Sequence, residues 1–114
     1  MKDLTCILKP VGGTPEVKTI ENTLEELQRI VGGYIEVVDI GSHTVIICNE
    51  EGKIRSEPKN FWITTGGEAV DYIAGDAIIC GTDGENFCSI DPDVLPDLFD
   101  ALSTLDVPDL GVMF

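Results

Sequence analysis

Nucleophilic catalysis needs a base beside its nucleophile, and the only imidazole in the chain is His43, next to Ser42. Residues adjacent in sequence do not build a Ser–His relay, and the flanking pattern places both in a hairpin turn, where a histidine is solvated. Cys48 serves no better, because five residues along a strand carry it to the opposite face. Carboxylates can work in pairs as acid and base, and Glu25-Glu26 and Glu50-Glu51 are adjacent. With 21 Asp+Glu in 114 residues, however, close pairs arise by chance and read as solvated helix and turn positions. Phosphate cradles need Gly-rich loops at a helix start, and Gly12-Gly13, Gly32-Gly33 and Gly66-Gly67 have neither the dinucleotide-binding nor the Walker spacing. Asp83, Glu85, Asp91 and Asp93 gather near one turn and could offer oxygens to calcium, but the twelve-residue EF-hand spacing is absent. Cys6, Cys48, Cys80 and Cys88 are widely separated without a Cys-x-x-Cys, which excludes a zinc ribbon and a thioredoxin-like motif. The first three lie inside apolar runs and read as small buried hydrophobes kept reduced. The sequence therefore predicts no enzyme, no cofactor and no metal.

Binding chemistry is better represented. Seven Lys+Arg against 21 Asp+Glu give a net charge of −14, whose field repels a phosphate backbone, so direct contact with nucleic acid is not expected. The charge is segregated. Six of the seven bases precede residue 58, and the remaining half carries eleven acids against Lys59 alone. Such a run must either lean on bases from the first half or present a negative face, for which Asp91, Asp93, Asp97 and Asp100 are the candidates. Conversely, the early bases could line a local pocket for a small anion, with Lys53, Arg55, Lys59, Asn60 and Trp62 as its candidates. Trp62, Phe61 and Tyr72 could line a binding surface or pack into the core.

The elements that must position these groups can be read from period and punctuation. Leu4–Lys9 reads as a strand ended by Pro10, and the alternating Glu16–Ile20 pairs with it in a hairpin. Thr23 followed by Glu26 resembles a capping box, Leu24, Leu27, Ile30 and Val31 recur at helical spacing, and Gly32-Gly33 stops the helix. Tyr34–Ile40 and Thr44–Asn49 form a second hairpin around Gly41-Ser42-His43. Lys53–Arg55 continues the meander as a short strand, and Ser56–Gly67 is a long excursion with one extended piece at Phe61–Thr64. Asp76–Gly81 and Phe87–Ile90 flank a tight turn, and Pro96 suits the first turn of a final helix. The expectation is a single α+β domain over 1–114, a mostly antiparallel sheet of about five to seven short strands. One internal helix (about 23–31) packs on the sheet, a C-terminal helix spans about 96–103, and the tail 105–114 docks on the body or on a second copy. No stretch approaches the ~20 apolar residues that span a bilayer, and the opening apolar run is too short for a signal peptide, so a cytoplasmic protein without membrane contact is expected.

Three segments carry a family resemblance: Glu16–Val38 with its Val-Gly-Gly-Tyr-Ile-Glu, Val45–Lys53 with Asn-Glu-Glu-Gly, and Asp71–Gly81. In order and spacing, over roughly residues 4–104, they resemble domain of unknown function family 3846. That family has a Pro-Pro-Asn-Arg-like segment where this chain has Glu57-Pro58-Lys59-Asn60-Phe61, so Asn60 matches and the Arg does not. The resemblance implies a phage or mobile-element setting and brings no catalytic residues. Together with the acidic second half it leads to the expectation of a non-enzymatic module that binds a host or element-encoded protein, as antirestriction DNA mimics do. The alternative is a small-ligand binder such as a sponge for signalling nucleotides. Self-association is a further expectation.

Overall fold

Period-two and helical patterning alternate along the chain as β1 (Asp3–Lys9), β2 (Glu16–Glu21), α1 (Leu24–Val31), β3 (Ile35–Gly41), β4 (Thr44–Asn49), β5 (Lys59–Thr65), β6 (Glu68–Ala74), β7 (Ala77–Thr82), β8 (Phe87–Cys88), α2 (Leu95–Thr104) and β9 (Asp106–Pro108). The computed structural model describes residues 3–108. The fold is α+β, as expected, with antiparallel pairing everywhere except between β5 and β9.

Two strands set the architecture. All six residues of β4 and five of six in β7 are buried, so both must lie inside a sheet covered on each face. The large sheet runs β2-β1-β7-β4-β3, with β8 attached to β7. On one face Leu4, Cys6, Val45, Ile47, Ile78 and Cys80 meet Leu27 and Val31 of α1. On the other, Ile7, Ile46, Cys48 and Ile79 meet α2 and a second sheet ordered β6-β5-β9, through Leu98, Leu102, Phe61, Ile63, Ile73 and Val107. Each fully buried aliphatic side chain in these layers contributes about 1.5–3 kcal/mol of transfer free energy. Lys9 and Asn60 clamp the two sheets: Lys9 Nζ donates to Asn60 Oδ1 (2.9 Å), and Asn60 Nδ2 donates to the carbonyls of Lys9 (2.7 Å) and Gly75 (2.8 Å).

α1 starts and stops where its sequence says. Thr23 Oγ1 accepts the Glu26 N–H and Gly32 takes the left-handed conformation (φ 81°). The reciprocal arm of the capping box is missing, because the Glu26 carboxylate is held by Arg29 at 2.6 and 2.8 Å. The β3–β4 turn has positive φ at both Ser42 and His43, the geometry whose twist matches a two-residue hairpin. α2 spans one residue more at each end than expected, with Pro96 in its first turn.

Three expectations are corrected, and one is met in part. Lys53–Arg55 is not a strand: the N–H groups of Gly52, Arg55, Ser56 and Glu57 bond carbonyls three to five residues back, coiling 50–56 into successive turns. Ser56–Gly67 is not an excursion, since β5 begins at Lys59 and turns through Gly66-Gly67 (φ 59° and 85°) into β6. The strands are not a sequential meander, because β7 inserts between β1 and β4. Residues 106–108 of the tail dock as β9, parallel to β5, while 109–114 lie outside the described residues. Among the described residues no helix is long and apolar enough to cross a membrane.

Candidate functional site

The four aspartates expected to form an acidic face are brought together by the start of α2. The Asp91 carbonyl accepts the N–H groups of Val94 and Leu95 at 3.0 Å, and its side chain accepts that of Asp93 at 2.8 Å, which folds 91–94 into the turn that leads into the helix. Asp93 stands in that turn, and Asp97 and Asp100 follow three apart on the exposed side of the helix, while Leu98 and Leu102 point into the core. All four carboxylates are exposed, and among the described residues no Lys, Arg or His lies within ion-pair distance of them. Asp97 gains from the positive end of the helix, but like charges three and four apart cost about 0.2–0.5 kcal/mol per pair. Beside this row, Ser42, Asp93, Val94, Asp97, Leu98 and Pro108 line a cavity of about 130 Å³ whose floor is apolar and whose rim is acidic.

The five residues expected to bind a small ligand are divided. Asn60 is buried in the clamp between the sheets and faces away from the others. Lys59 and Trp62 lie on the outer face of β5, with Lys59 Nζ 3.9 Å from the Trp62 ring and 5.3 Å from Tyr72. Lys53 reaches the same cluster from its turn, bonding Asp71 and standing 4.6 Å from the Tyr72 ring. That bond holds the Asp71 carboxyl below, and the Lys53 amine above, their ordinary values. Arg55 is exposed in the same run of turns. Trp62 and Tyr72 pack edge to face at 5.7 Å, whereas Phe61 points into the core, so the aromatic trio splits across the strand. The cleft beside Tyr72, lined by Glu36, Cys48, Lys53 and Asp71 among others, holds about 50 Å³, against the ~300 Å³ and upward of ordinary ligand pockets.

Sequence reasoning missed Lys9. It counted among the early bases that could line a pocket, yet it is 1% exposed, and desolvation pushes its amine down against the opposing pull of Asp76. Its place on β1 two residues after Ile7, on the same pleat face, was the available signal. Asp83 closes its own turn by accepting the Glu85 and Asn86 N–H groups, which hold its carboxyl below the usual range. Among the described residues no group of three or more His, Cys, Asp or Glu could hold a metal ion. Cys6, Cys48 and Cys80 are buried, and burial pushes their thiols up to about 11, about 11 and about 12. Cys88 is exposed.

A family described as a domain of unknown function (DUF3846) matches residues 1–103. The chain belongs to that family. No curated protein and no solved structure matches it. The DUF3846 match takes in the large sheet, both sheet-clamping residues and α2 through Ser103, while β9 lies beyond it. In this DUF3846 chain the acidic row is therefore inside the family region, and the strand that completes the small sheet is outside it.

Proposed function

We propose that this protein is a non-enzymatic binding module of phage or mobile-element origin. It engages a host or element-encoded protein through the acidic face of α2, a counter-defence role in which carboxylates stand in for DNA phosphates. The observation that carries the reading is the exposed row Asp91, Asp93, Asp97 and Asp100, left without a cation partner among the described residues and holding a like-charge pair, Asp97 and Asp100, on the helix itself. A basic, phosphate-reading surface is the chemistry that such a row complements. The small-ligand alternative has less behind it, because Asn60 is committed to the clamp and the cleft beside Tyr72 holds only about 50 Å³.

The test is capture from a bacterial lysate by the wild type and by a variant with Asp91, Asp93, Asp97 and Asp100 all changed to Asn. A DNA-binding protein held at low salt, released by duplex DNA and lost with the variant, is the expected result. Equal capture by both proteins would overturn the reading.

A further inference from the structure

The β1–β7 register pairs Lys9 with Ala77, Leu8 with Ile78 and Ile7 with Ile79, and the next step along it brings Cys6 opposite Cys80. Backbone groups of successive residues in a strand turn to opposite edges, so the direction of one residue fixes that of its neighbours. Thr5 turns its groups toward the β7 side, donating to Ser89 Oγ and accepting the Ile90 N–H, each at 2.9 Å. Cys6 therefore turns its own toward β2. The Thr82 N–H donates to the His43 carbonyl at 2.9 Å, so Cys80, two residues earlier, turns toward β4. Neither cysteine directs its backbone at the other. They form the non-hydrogen-bonded kind of antiparallel pair, in which Cα atoms stand about 4.5 Å apart and side chains are closest. Both are fully buried on one face, against Leu27 and Val31 of α1. The other two cysteines have no such partner, since Cys48 pairs with Glu36 and Cys88 with Gly81.

We propose that Cys6 and Cys80 are the site of a cross-strand disulfide, formed in oxidising surroundings by exchange with a small-molecule disulfide such as oxidised glutathione. Disulfides span Cα separations of about 4.4–6.8 Å, so the bond closes without moving the sheet. One cysteine thiolate attacks a glutathione sulfur, making a mixed disulfide and releasing one glutathione thiolate. The second cysteine thiolate attacks the protein sulfur of that mixed disulfide and releases the other glutathione. The protein gives up two protons and two electrons, and the two glutathione thiols carry them away. In the closed fold both protein thiols are sealed and burial holds them protonated, so attack is slow there. Exchange therefore takes place before β1 docks on β7 or when it opens, and the same burial then shields the bond from reductant. The link ties the N-terminal hairpin to a central strand across a loop of about 75 residues, long enough to restrict the unfolded chain strongly. In reducing surroundings the two residues remain small apolar side chains of the α1 layer.

The inference is independent of the acidic row on α2. The test refolds the wild type from urea in glutathione buffer, one sample with the oxidised form in excess and one fully reduced. Free thiols are then blocked, the chain is cut at its acidic residues so that each cysteine falls on its own peptide, and the peptides are mapped by mass spectrometry. The oxidised sample should carry Cys6 joined to Cys80 as its main link, and its thermal midpoint should lie about 5–15 °C above that of the reduced sample. Cys6→Ala and Cys80→Ala should each abolish the link and the shift, and Cys88→Ser should keep both. An oxidised sample without a link, one linked chiefly through Cys48 or Cys88, or one that joins Cys6 to Cys80 yet melts no higher than the reduced protein, would overturn the proposal. The mapping reads the wild type directly, so the outcome does not depend on the variants folding.

Discussion

The two helices of this protein are docked alike and finished differently. Each buries a pair of aliphatic side chains, Leu27 and Val31 in α1, Leu98 and Leu102 in α2. α1 is finished by local groups: a threonine cap, acids in the first turn, Arg29 in the last turn bound to Glu26 by two hydrogen bonds, and a glycine in the left-handed position. α2 has Val94 at its start with no side-chain cap bond, no base in its last turn, a non-glycine Leu105 at φ 67°, and a row of unpaired aspartates. The difference shows which helix stability alone would shape. α1 closes with a side-chain cap and an ion pair of its own, while α2 is held by its burial and, apart from Asp97 in its first turn, carries acids without a basic partner among the described residues.

The shared part of that comparison carries the largest effects. Leu27→Ala and Leu102→Ala should each destabilise the protein by about 2–5 kcal/mol in urea titrations, because both side chains are sealed and leave a cavity. A loss for Leu102→Ala far below that of Leu27→Ala would mean that α2 is not an integral layer. Next comes the cap. Thr23→Ala should cost about 1 kcal/mol, since it orphans the Glu26 N–H, and α2 has no equivalent position to lose.

Acid should also separate the helices. The hydrogen bonds and charge of Arg29 hold the Glu26 carboxyl below its ordinary value. A depressed carboxyl contributes stability that is present above the unfolded value, about 4.3, and is lost as pH falls through the folded one. Arg29→Ala should therefore lower stability at neutral pH and flatten the decline on acidification, both small effects for so exposed a pair, measured as urea midpoints at about pH 7 and about pH 3. An unchanged acid limb would show that the pair contributes nothing in solution.

How legible these regions were from sequence follows from where each signal resides. α1, the β1–β2 hairpin and the turn at Ser42-His43 are written in neighbouring residues, and all three were legible. β6 was not, because four of its seven residues are exposed and only Ile73 and Ala74 are buried, so no alternation marks it. The insertion of β7 between β1 and β4 is a long-range choice that local pattern does not encode; its run of Ala77-Ile-Ile-Cys80 showed that it is central but not between which strands. The same insertion interleaves the two halves, and although β7 itself is uncharged it brings Asp76 against Val11 and Lys9 of the first half. Lys53 crosses the division too, to Asp71. The placement of Asp97 and Asp100 on α2 was legible because helical spacing is local. Asn60 was misread as a ligand residue because its partners, Lys9 and Gly75, are 51 and 15 positions away.

The smallest expected effect bears most directly on why α2 is left unfinished. Ser103 is exposed, three residues after Asp100, the same spacing that joins Glu26 to Arg29 in α1. Its hydroxyl makes only a back-bond to the Phe99 carbonyl, a weak interaction that helices lose readily. Ser103→Arg should therefore give α2 what α1 has, an i,i+3 ion pair and a base in the last turn, stabilising the protein by about 0.2–0.5 kcal/mol. The same arginine would place a cation at the end of the aspartate row and weaken capture of a basic partner. Stabilisation together with weaker capture is the result expected if the row is kept for binding at the expense of the helix. Stabilisation with capture unchanged would place the partner's contact elsewhere on the molecule, and the contrast between the helices would then reduce to their different caps.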